Sequence, residues 1–122
     1  MSRTVPPAPP GVNDWTSQLR RGVLELCLLR ILSEDPGYGY EIVSRLESIT
    51  PLASSGNTIY PLLRRLKADG LLETFVGESP AGPPRQYYRV TANGRRRLAV
   101  LTREWSAMAH AVAVCLGHGE PV

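Results

Sequence analysis

The chain has 122 residues, enough for one folded domain with a real core and too few for two ordinary ones. Hydrophobic residues make up 43% and charged residues 20%, a globular composition, and no apolar run approaches the roughly 20 residues of a membrane span. The net charge of +3 is unevenly spread, because residues 51 to 97 hold eight arginines and lysines against three acids, a local charge of +5 that favours a polyanionic partner.

The sequence carries no sign of secretion or of metal binding. Its first residues lack the apolar segment of a secretory signal, so we expect a cytoplasmic protein. Cys27 and Cys115 lie far apart and lack the spacing of metal ligands. We therefore expect two reduced thiols, with Cys27 in the core, and no metal or cofactor.

The N-terminal part reads as an arm followed by a helix. Residues 1 to 14 are rich in proline and lack periodicity, which predicts a flexible arm with polyproline character. From Trp15 to Leu32, apolar residues recur at helical spacing around almost the whole circumference, which predicts a buried helix. We expect Arg20 and Arg21 near its start to be solvated.

A second, shorter helix follows the Gly-Tyr-Gly-Tyr stretch at residues 37 to 40. It is amphipathic as far as Ile49 and is expected to end before Pro51. Tyrosines at a helix entrance can pack in the core or can offer their hydroxyl groups to phosphates. We expect Tyr40 to pack and Tyr38 to be exposed.

The stretch that begins at Ser54 is expected to form an amphipathic helix that ends at Gly70. The apolar residues that fall within one narrow arc are Ile59, Leu62, Leu63 and Leu66. The opposite face is centred on Asn57, Pro61, Arg64 and Ala68, flanked by Tyr60 and Arg65. A helix that begins with hydroxyl and amide groups and continues with arginines can lie in a DNA major groove. An ordinary solvated helix would show the same pattern.

Pro61 leaves the start of this helix open between two alternatives. With Ser55 as the N-cap, Pro61 lies in the helix interior, where it removes a backbone bond at a cost of roughly 3 kcal/mol. With Thr58 as the N-cap, Pro61 falls in the first turn, where its missing N–H is harmless. Either way residues 54 to 58 form an exposed helix entrance, and the preceding short helix and tight turn complete a helix-turn-helix arrangement.

Two strands are predicted after this helix. Residues 72 to 76 alternate, residues 86 to 90 are rich in β-forming side chains, and a loop rich in glycine and proline joins them at residues 77 to 84. Arg85 stands at the base of the loop. Such a loop can follow a DNA backbone or minor groove, although it can also be a simple mobile hairpin.

The last predicted element is a helix of about six turns, which begins with a hydroxyl cap at Thr91. Its apolar stripe consists of Leu98, Leu101, Trp105, Met108, Val112 and Cys115. A small domain cannot bury so long a stripe alone, which predicts a partner helix from a second copy.

Six blocks of the chain, in order, resemble the PadR family of bacterial transcriptional regulators. They are residues 19 to 26, 37 to 42, 57 to 66, 70 to 72 and 83 to 91, and Gly94. The resemblance implies a mainly α fold with a small β-hairpin, in which a winged helix-turn-helix domain precedes a long C-terminal dimerisation helix. It also implies a homodimer that represses a nearby promoter.

The resemblance places the DNA-reading helix at residues 55 to 69 and the wing at residues 77 to 86. Combined with the basic and polar residues above, it gives the candidate DNA contacts Tyr38, Ser54, Ser55, Asn57, Thr58, Tyr60, Arg64, Arg65, Lys67 and Arg85. In multidrug-sensing relatives a tryptophan of the last helix stacks against flat aromatic ligands between subunits. Trp105, with Met108 beside it, occupies a comparable place. The candidate dimer contacts are Trp15, Leu19, Leu98, Leu101, Trp105, Met108, Val112 and Cys115.

These features predict a flexible arm (1–14), a DNA-binding domain (15–90), a dimerisation helix (91–117) and a tail (118–122). The expected function is sequence-specific regulation of transcription by a homodimeric repressor on a palindromic operator, relieved by a small aromatic ligand. A winged helix that binds protein is the main alternative, and the arginine-bearing face speaks against it. An enzyme is less favoured, because the sequence shows neither a nucleophile with a base nor a phosphate-binding glycine loop.

Overall fold

The computed structural model describes Pro7, residues 9 to 78 and residues 82 to 118. The elements in chain order are α1 (Val12–Glu34), β1 (Gly37–Tyr38), α2 (Gly39–Glu47), α3 (Gly56–Ala68), β2 (Leu72–Gly77), β3 (Arg85–Val90) and α4 (Ala92–Cys115). Half of the predicted arm, the hairpin tip at residues 79 to 81 and the tail after His118 lie outside the described residues. No helix in the described ranges is long and apolar enough to cross a membrane.

One apolar core joins the first three helices to the sheet. Its buried residues are Leu24, Leu28, Leu29, Leu32, Ile42, Leu46, Ile59, Leu63, Leu66, Leu71, Leu72 and Val90. The inward arc predicted for α3 is therefore confirmed, with Leu62 half-buried at its edge.

The first helix differs from the prediction in two ways. It begins at Val12, inside the predicted arm, with Gly11 in a left-handed conformation before it. Only its second half reaches the core, so within one copy the expectation of a buried helix was wrong for the first half. Trp15 and Leu19 are exposed there, and their predicted contact with a partner subunit stays a prediction. An apolar circumference does not reveal which turns other elements cover.

A third strand, which the sequence did not predict, extends the hairpin into a three-stranded antiparallel sheet of order β1-β3-β2. In this sheet Tyr38 pairs with Tyr87 on β3, and Tyr87 pairs on its other side with Phe75 of β2. Two residues are too few to show the alternation of a strand, so only pairing with a distant part of the chain reveals β1.

The structure decides where α3 starts. Ser55 is the N-cap, and its carbonyl accepts from the backbone N–H groups of Thr58 and Ile59 at 3.0 and 3.1 Å. Pro61 therefore lies inside the helix and leaves the carbonyl of Asn57 without its usual partner. After the helix, Gly70 adopts a φ of 75°, the left-handed conformation that commonly ends helices.

The junction between the sheet and α4 is built by Thr91, whose predicted capping role is confirmed. Its hydroxyl accepts from the N–H of Gly94 at 3.0 Å and donates to the carbonyl of Gly70 at 2.7 Å. The backbone N–H of Thr91 also donates to the carbonyl of Leu71 at 3.1 Å. These bonds tie the start of α4 to the turn that follows α3.

Candidate nucleic-acid interface

The outward face of α3 is the centre of the candidate interface. Asn57, Pro61, Arg64 and Ala68 are all exposed, as the helical periodicity predicted. Thr58, Arg65 and Lys67 are exposed beside them. Among the described residues, neither Arg64 nor Lys67 forms an ion pair with a carboxylate, so their charges are available to an anion. The Arg65 guanidinium lies 3.9 Å from Glu25 of α1, at the limit of an ion pair.

The ring of Tyr60 is fixed on one edge of this face. It lies against two glycines, Gly39 at the start of α2 and Gly56 at the start of α3, so closely that a methyl group on either would overlap it. The side chain nevertheless remains 40% exposed. The two glycines therefore let an aromatic side chain lie at the meeting point of α2 and α3 with part of its ring accessible.

A polar cavity of about 240 Å³ lies on the opposite edge, between α1 and the start of α3. The polar residues around it are Ser17, Arg20, Arg21, Ser54, Ser55 and Thr58. Ser54 is half-buried and donates to the carbonyl of Leu52 at 3.2 Å, while Ser55 is exposed. The prediction that Arg20 is simply solvated was wrong, because its Nε donates to the carbonyl of Pro51 at 2.6 Å.

Arg21 is the residue in this region whose position the sequence did not reveal. It is exposed and lines the polar cavity together with Thr58, and it lines a neighbouring cavity together with Pro61 and Arg65. Its periodicity within α1 placed it only in solvent. Its proximity to α3 is a tertiary relationship that no local pattern carries.

The two tyrosines at the junction of β1 and α2 have the reverse of their predicted environments. Tyr40 is 71% exposed, whereas Tyr38 is half-buried. Tyr38 belongs to β1 and packs edge-on against Tyr87, with ring centroids 5.4 Å apart. The guanidinium carbon of Arg85 lies 4.4 Å from the centroid of the Tyr38 ring. Strand pairing therefore holds the residue that was expected to be exposed.

The C-terminal half of α4 carries an apolar surface that nothing in the described chain covers. Met108 is 61% exposed and Val112 is 49% exposed, and Cys115 is exposed as well. Leu98 and Leu101 behave differently, because they are half-buried against the chain's own core. Their assignment as dimer contacts stays a prediction, and the fully uncovered part of the stripe begins at Trp105.

Trp105 lines an apolar cavity of about 300 Å³ between α1, α4 and the turn before α3. Cys27 lines the same cavity and is half-buried, rather than part of the core as predicted. Burial raises the pKa of the Cys27 thiol, which favours its neutral form. Both cysteines are free thiols. Among the described residues, no group of three His, Cys, Asp or Glu side chains is placed to hold a metal ion.

Comparison with known proteins identifies this architecture. Residues 28–100 match the model of the transcriptional regulator PadR-like family. A PadR-like transcriptional regulator from Bacillus cereus is 36% identical, with a TM-score of 0.76 over 84% of this chain and 99% of the other. A PadR family transcriptional regulator from Eggerthella lenta is 35% identical, with a TM-score of 0.76 over 86% of this chain and 91% of the other.

A third relative, an uncharacterised protein of Lysinibacillus sphaericus, is 33% identical over 92 residues, which are 74% of this chain and 84% of that protein. The family match spans α2, α3 and the sheet, and it ends within α4. The structural relatives named above are regulators of transcription. The chain therefore belongs to the PadR-like family of transcriptional regulators and is a DNA-binding protein with a winged-helix fold.

Proposed function

We propose that the chain acts as a homodimer that binds a palindromic operator and represses the adjacent promoter. Residues 15–90 would bind DNA and residues 91–117 would join the two copies. The observation that carries this proposal is the outward face of α3, where Arg64 has no carboxylate partner among the described residues. Further arginines flank that face, with Arg21 and Arg65 on the α1 side. Chromosomal DNA as the partner agrees with a cytoplasmic location.

Each part of the surface has a distinct role in this proposal. Asn57 and Arg64 project from the centre of the face and would contact base edges in the major groove, the readout their amide and guanidinium groups suit. Ser55 and Thr58, with the first backbone N–H groups of α3, would contact a phosphate. The remaining candidates on this face would hold the DNA backbone; they are Arg21, Ser54, Tyr60, Arg65 and Lys67.

Binding to the protein's own upstream DNA tests operator recognition. Fluorescence anisotropy should show tighter binding to the native duplex than to a scrambled duplex, and log K should fall with log salt by about 0.9 per phosphate neutralised. Arg64→Ala should cost about 1 to 3 kcal/mol on the native duplex and little on the scrambled one, if Arg64 reads a base. Lys67→Ala is the matched control, and it should weaken both duplexes equally. Equal affinity of the parent protein for both duplexes would contradict operator recognition and favour a partner of another kind.

The uncovered half of α4 supports a homodimer. Trp105, Met108 and Val112 lie at successive spacings on one face of a helix and are 44 to 61% exposed. Leu19 of α1 lines the same cavity as Trp105, and Trp15 is exposed one turn earlier on α1. A two-fold interface of this kind would set the two copies of α3 about one DNA turn apart, which is the origin of a palindromic site.

Single charges on α4 test the dimer. Met108→Asp should convert the protein to a monomer in sedimentation equilibrium, because it places a charge in the proposed apolar interface. Ser106→Asp is the matched control, since Ser106 is exposed and lies roughly 160° around the same helix from Met108. Equal dissociation by both substitutions, or by neither, would contradict the proposed interface.

Repression follows if the bound dimer covers promoter elements. In a purified transcription assay, the parent protein should lower run-off transcript from its own upstream promoter, and the monomeric Met108→Asp variant should lower it much less. A transcript that increases with protein concentration would identify an activator instead.

The apolar cavity beside Trp105 supports relief by a flat aromatic ligand. Its volume of about 300 Å³ and its lining by Leu19, Val23 and Leu26 suit a small apolar molecule. Bound ligand would release DNA only through a higher affinity for the DNA-free state. Aromatic compounds should quench the fluorescence of Trp15→Phe, which retains Trp105, and should leave that of Trp105→Phe unchanged. The opposite result would place the ligand elsewhere.

A further inference from the structure

The outer face of the sheet carries a continuous row of aromatic rings with an arginine at each end. Phe75 and Tyr87 stack with centroids 5.4 Å apart and planes 18° apart, and Tyr38 packs edge-on against Tyr87. Arg85 lies over the Tyr38 ring at one end, at 4.4 Å, and Arg89 lies over the Phe75 ring at the other, at 4.8 Å. We call these five residues the aromatic row.

The register of the sheet explains the row. Tyr38, Tyr87 and Phe75 are direct cross-strand neighbours, so their side chains lie on one face and interact. Gly77 pairs with Arg85 and has no side chain, and the Tyr87 ring occupies the space where a Cβ would stand. The glycine therefore makes room for the central ring of the row.

The two arginines differ in what neutralises them. Arg89 donates to the Glu73 carboxylate at 2.7 Å, so its charge is largely balanced. Among the described residues, Arg85 forms no ion pair, and its contact is with a ring face. A cation–π contact engages the flat face of a guanidinium and leaves its in-plane N–H groups able to donate. Arg85 is thus held in place while its positive charge and its donors remain available.

We propose that Tyr38 is a positioning residue, whose ring holds Arg85 ready to bind a phosphate of the DNA backbone. This inference rests on the proposed function and assigns Tyr38 a role through Arg85 instead of a direct phosphate contact by its hydroxyl. An arginine that is ordered before binding loses less conformational freedom when it meets the phosphate, and its affinity gains accordingly. The ring is needed for this effect, and the hydroxyl is not.

Operator affinity measured by anisotropy separates the ring from the hydroxyl. Tyr38→Phe should bind within about twofold of the parent, whereas Tyr38→Leu, which keeps apolar bulk and removes the ring, should bind about three- to tenfold more weakly. In an Arg85→Ala background, Tyr38→Leu should have no further effect, because the residue acts through Arg85. Equal losses in Tyr38→Phe and Tyr38→Leu, or independent losses for Tyr38 and Arg85, would overturn the proposal.

A second measurement does not depend on DNA. In the free protein, NMR should show the Arg85 side-chain resonances shifted by the ring current of Tyr38 in the parent and in Tyr38→Phe, and unshifted in Tyr38→Leu. Phe75→Leu is the matched control. It removes the ring at the other end of the aromatic row, beside Arg89, and should leave the Arg85 shift unchanged. An unshifted Arg85 in the folded parent would overturn the positioning role. Failure of the parent to prefer its operator would instead contradict the proposed function, and the Arg85 shift would still decide whether Tyr38 holds Arg85.

Discussion

Gly94 in the first turn of α4 provides a test of how tightly the last helix is seated on the domain. It is buried, and a Cβ added there would overlap the backbone carbonyl of Leu71 and lie 2.6 Å from Cγ1 of Val90. Real Cβ atoms essentially never approach other atoms within 3.0 Å, so Gly94→Ala would force α4 away from the chain at Leu71. Propensity alone predicts the opposite sign, since alanine favours a helix by about 1 kcal/mol over glycine.

The magnitude follows from the bonds that such a movement would break. Separating the two segments strains the bonds from the backbone and hydroxyl of Thr91 to the carbonyls of Leu71 and Gly70, at 3.1 and 2.7 Å. Each is worth about 0.5 to 1.5 kcal/mol, and overpacking in a filled site typically costs about 1 to 3 kcal/mol. After the propensity gain is subtracted, we expect Gly94→Ala to lower the free energy of unfolding by about 1 to 5 kcal/mol.

Urea denaturation measures this change, and Gly22→Ala is the matched control. Gly22 also lies inside a helix, but no heavy atom lies within 4 Å of an added Cβ there. The control should therefore gain about 0.5 to 1 kcal/mol from propensity alone. A Gly94→Ala protein as stable as the parent, beside a stabilised Gly22→Ala protein, would refute the close contact at Leu71.

Three further predictions concern single side chains. In the same denaturation assay, Thr91→Ala should lower the free energy of unfolding by about 1 kcal/mol through loss of the helix cap. The control Thr102→Ala, in the exposed middle of α4, should change the free energy of unfolding by less than about 0.5 kcal/mol. Because burial raises the pKa of Cys27, its stabilising contribution is fully present below the ordinary thiol pKa of about 8.5 and is lost as pH rises through the raised folded value. The monomeric variant Met108→Asp leaves Cys115 uncovered by a second copy. In this variant, alkylation followed by mass spectrometry should label exposed Cys115 first and label Cys27 only at higher pH. Equal labelling rates for the two cysteines would contradict the burial of Cys27. Glu25→Gln should change stability by less than about 1 kcal/mol, since its partners Arg65 and Arg97 are 61% and 49% exposed. The same substitution should tighten binding to unrelated DNA and steepen the salt dependence of that binding. Unchanged affinity would show that Arg65 does not approach the DNA.

The parts of the fold that local chemistry determines were predictable from the sequence. The four apolar residues of α3 recur at helical spacing, so its polar outer face followed from geometry, and the Thr91 cap followed from a hydroxyl before a long helix. Pro61 could not be resolved in the same way. Ser55 and Thr58 are both good capping residues, and the cost of an interior proline counts against Ser55, so the observed start at Ser55 depends on how α3 packs.

Features that depend on distant pairing were not predictable. The environment of Tyr38 is set by Tyr87 and Arg85, which lie on a strand far along the chain, so the sequence at residues 37 to 40 could not distinguish the exposed tyrosine from the packed one. Arg21 presents the same difficulty, because its neighbours on α3 are brought close only by folding. In both cases the sequence identified suitable chemistry, and the tertiary structure determined which residue supplies it.

The position of Glu25 gives a physical route by which events on α4 could reach the DNA-binding face. Its side chain is only 16% exposed and lies between two arginines, 3.1 Å from Arg97 of α4 and 3.9 Å from Arg65 of α3. Trp105 lies about two turns beyond Arg97 on the same rigid helix. Under the ligand relief proposed above, a ligand that shifts α4 against α1 beside Trp105 would carry Arg97 with it and weaken the contact between Arg97 and Glu25. The Glu25 carboxylate would then be freer to hold Arg65, whose positive charge would be less available to the DNA backbone. In that proposal, release of DNA needs only a change in which arginine the carboxylate holds.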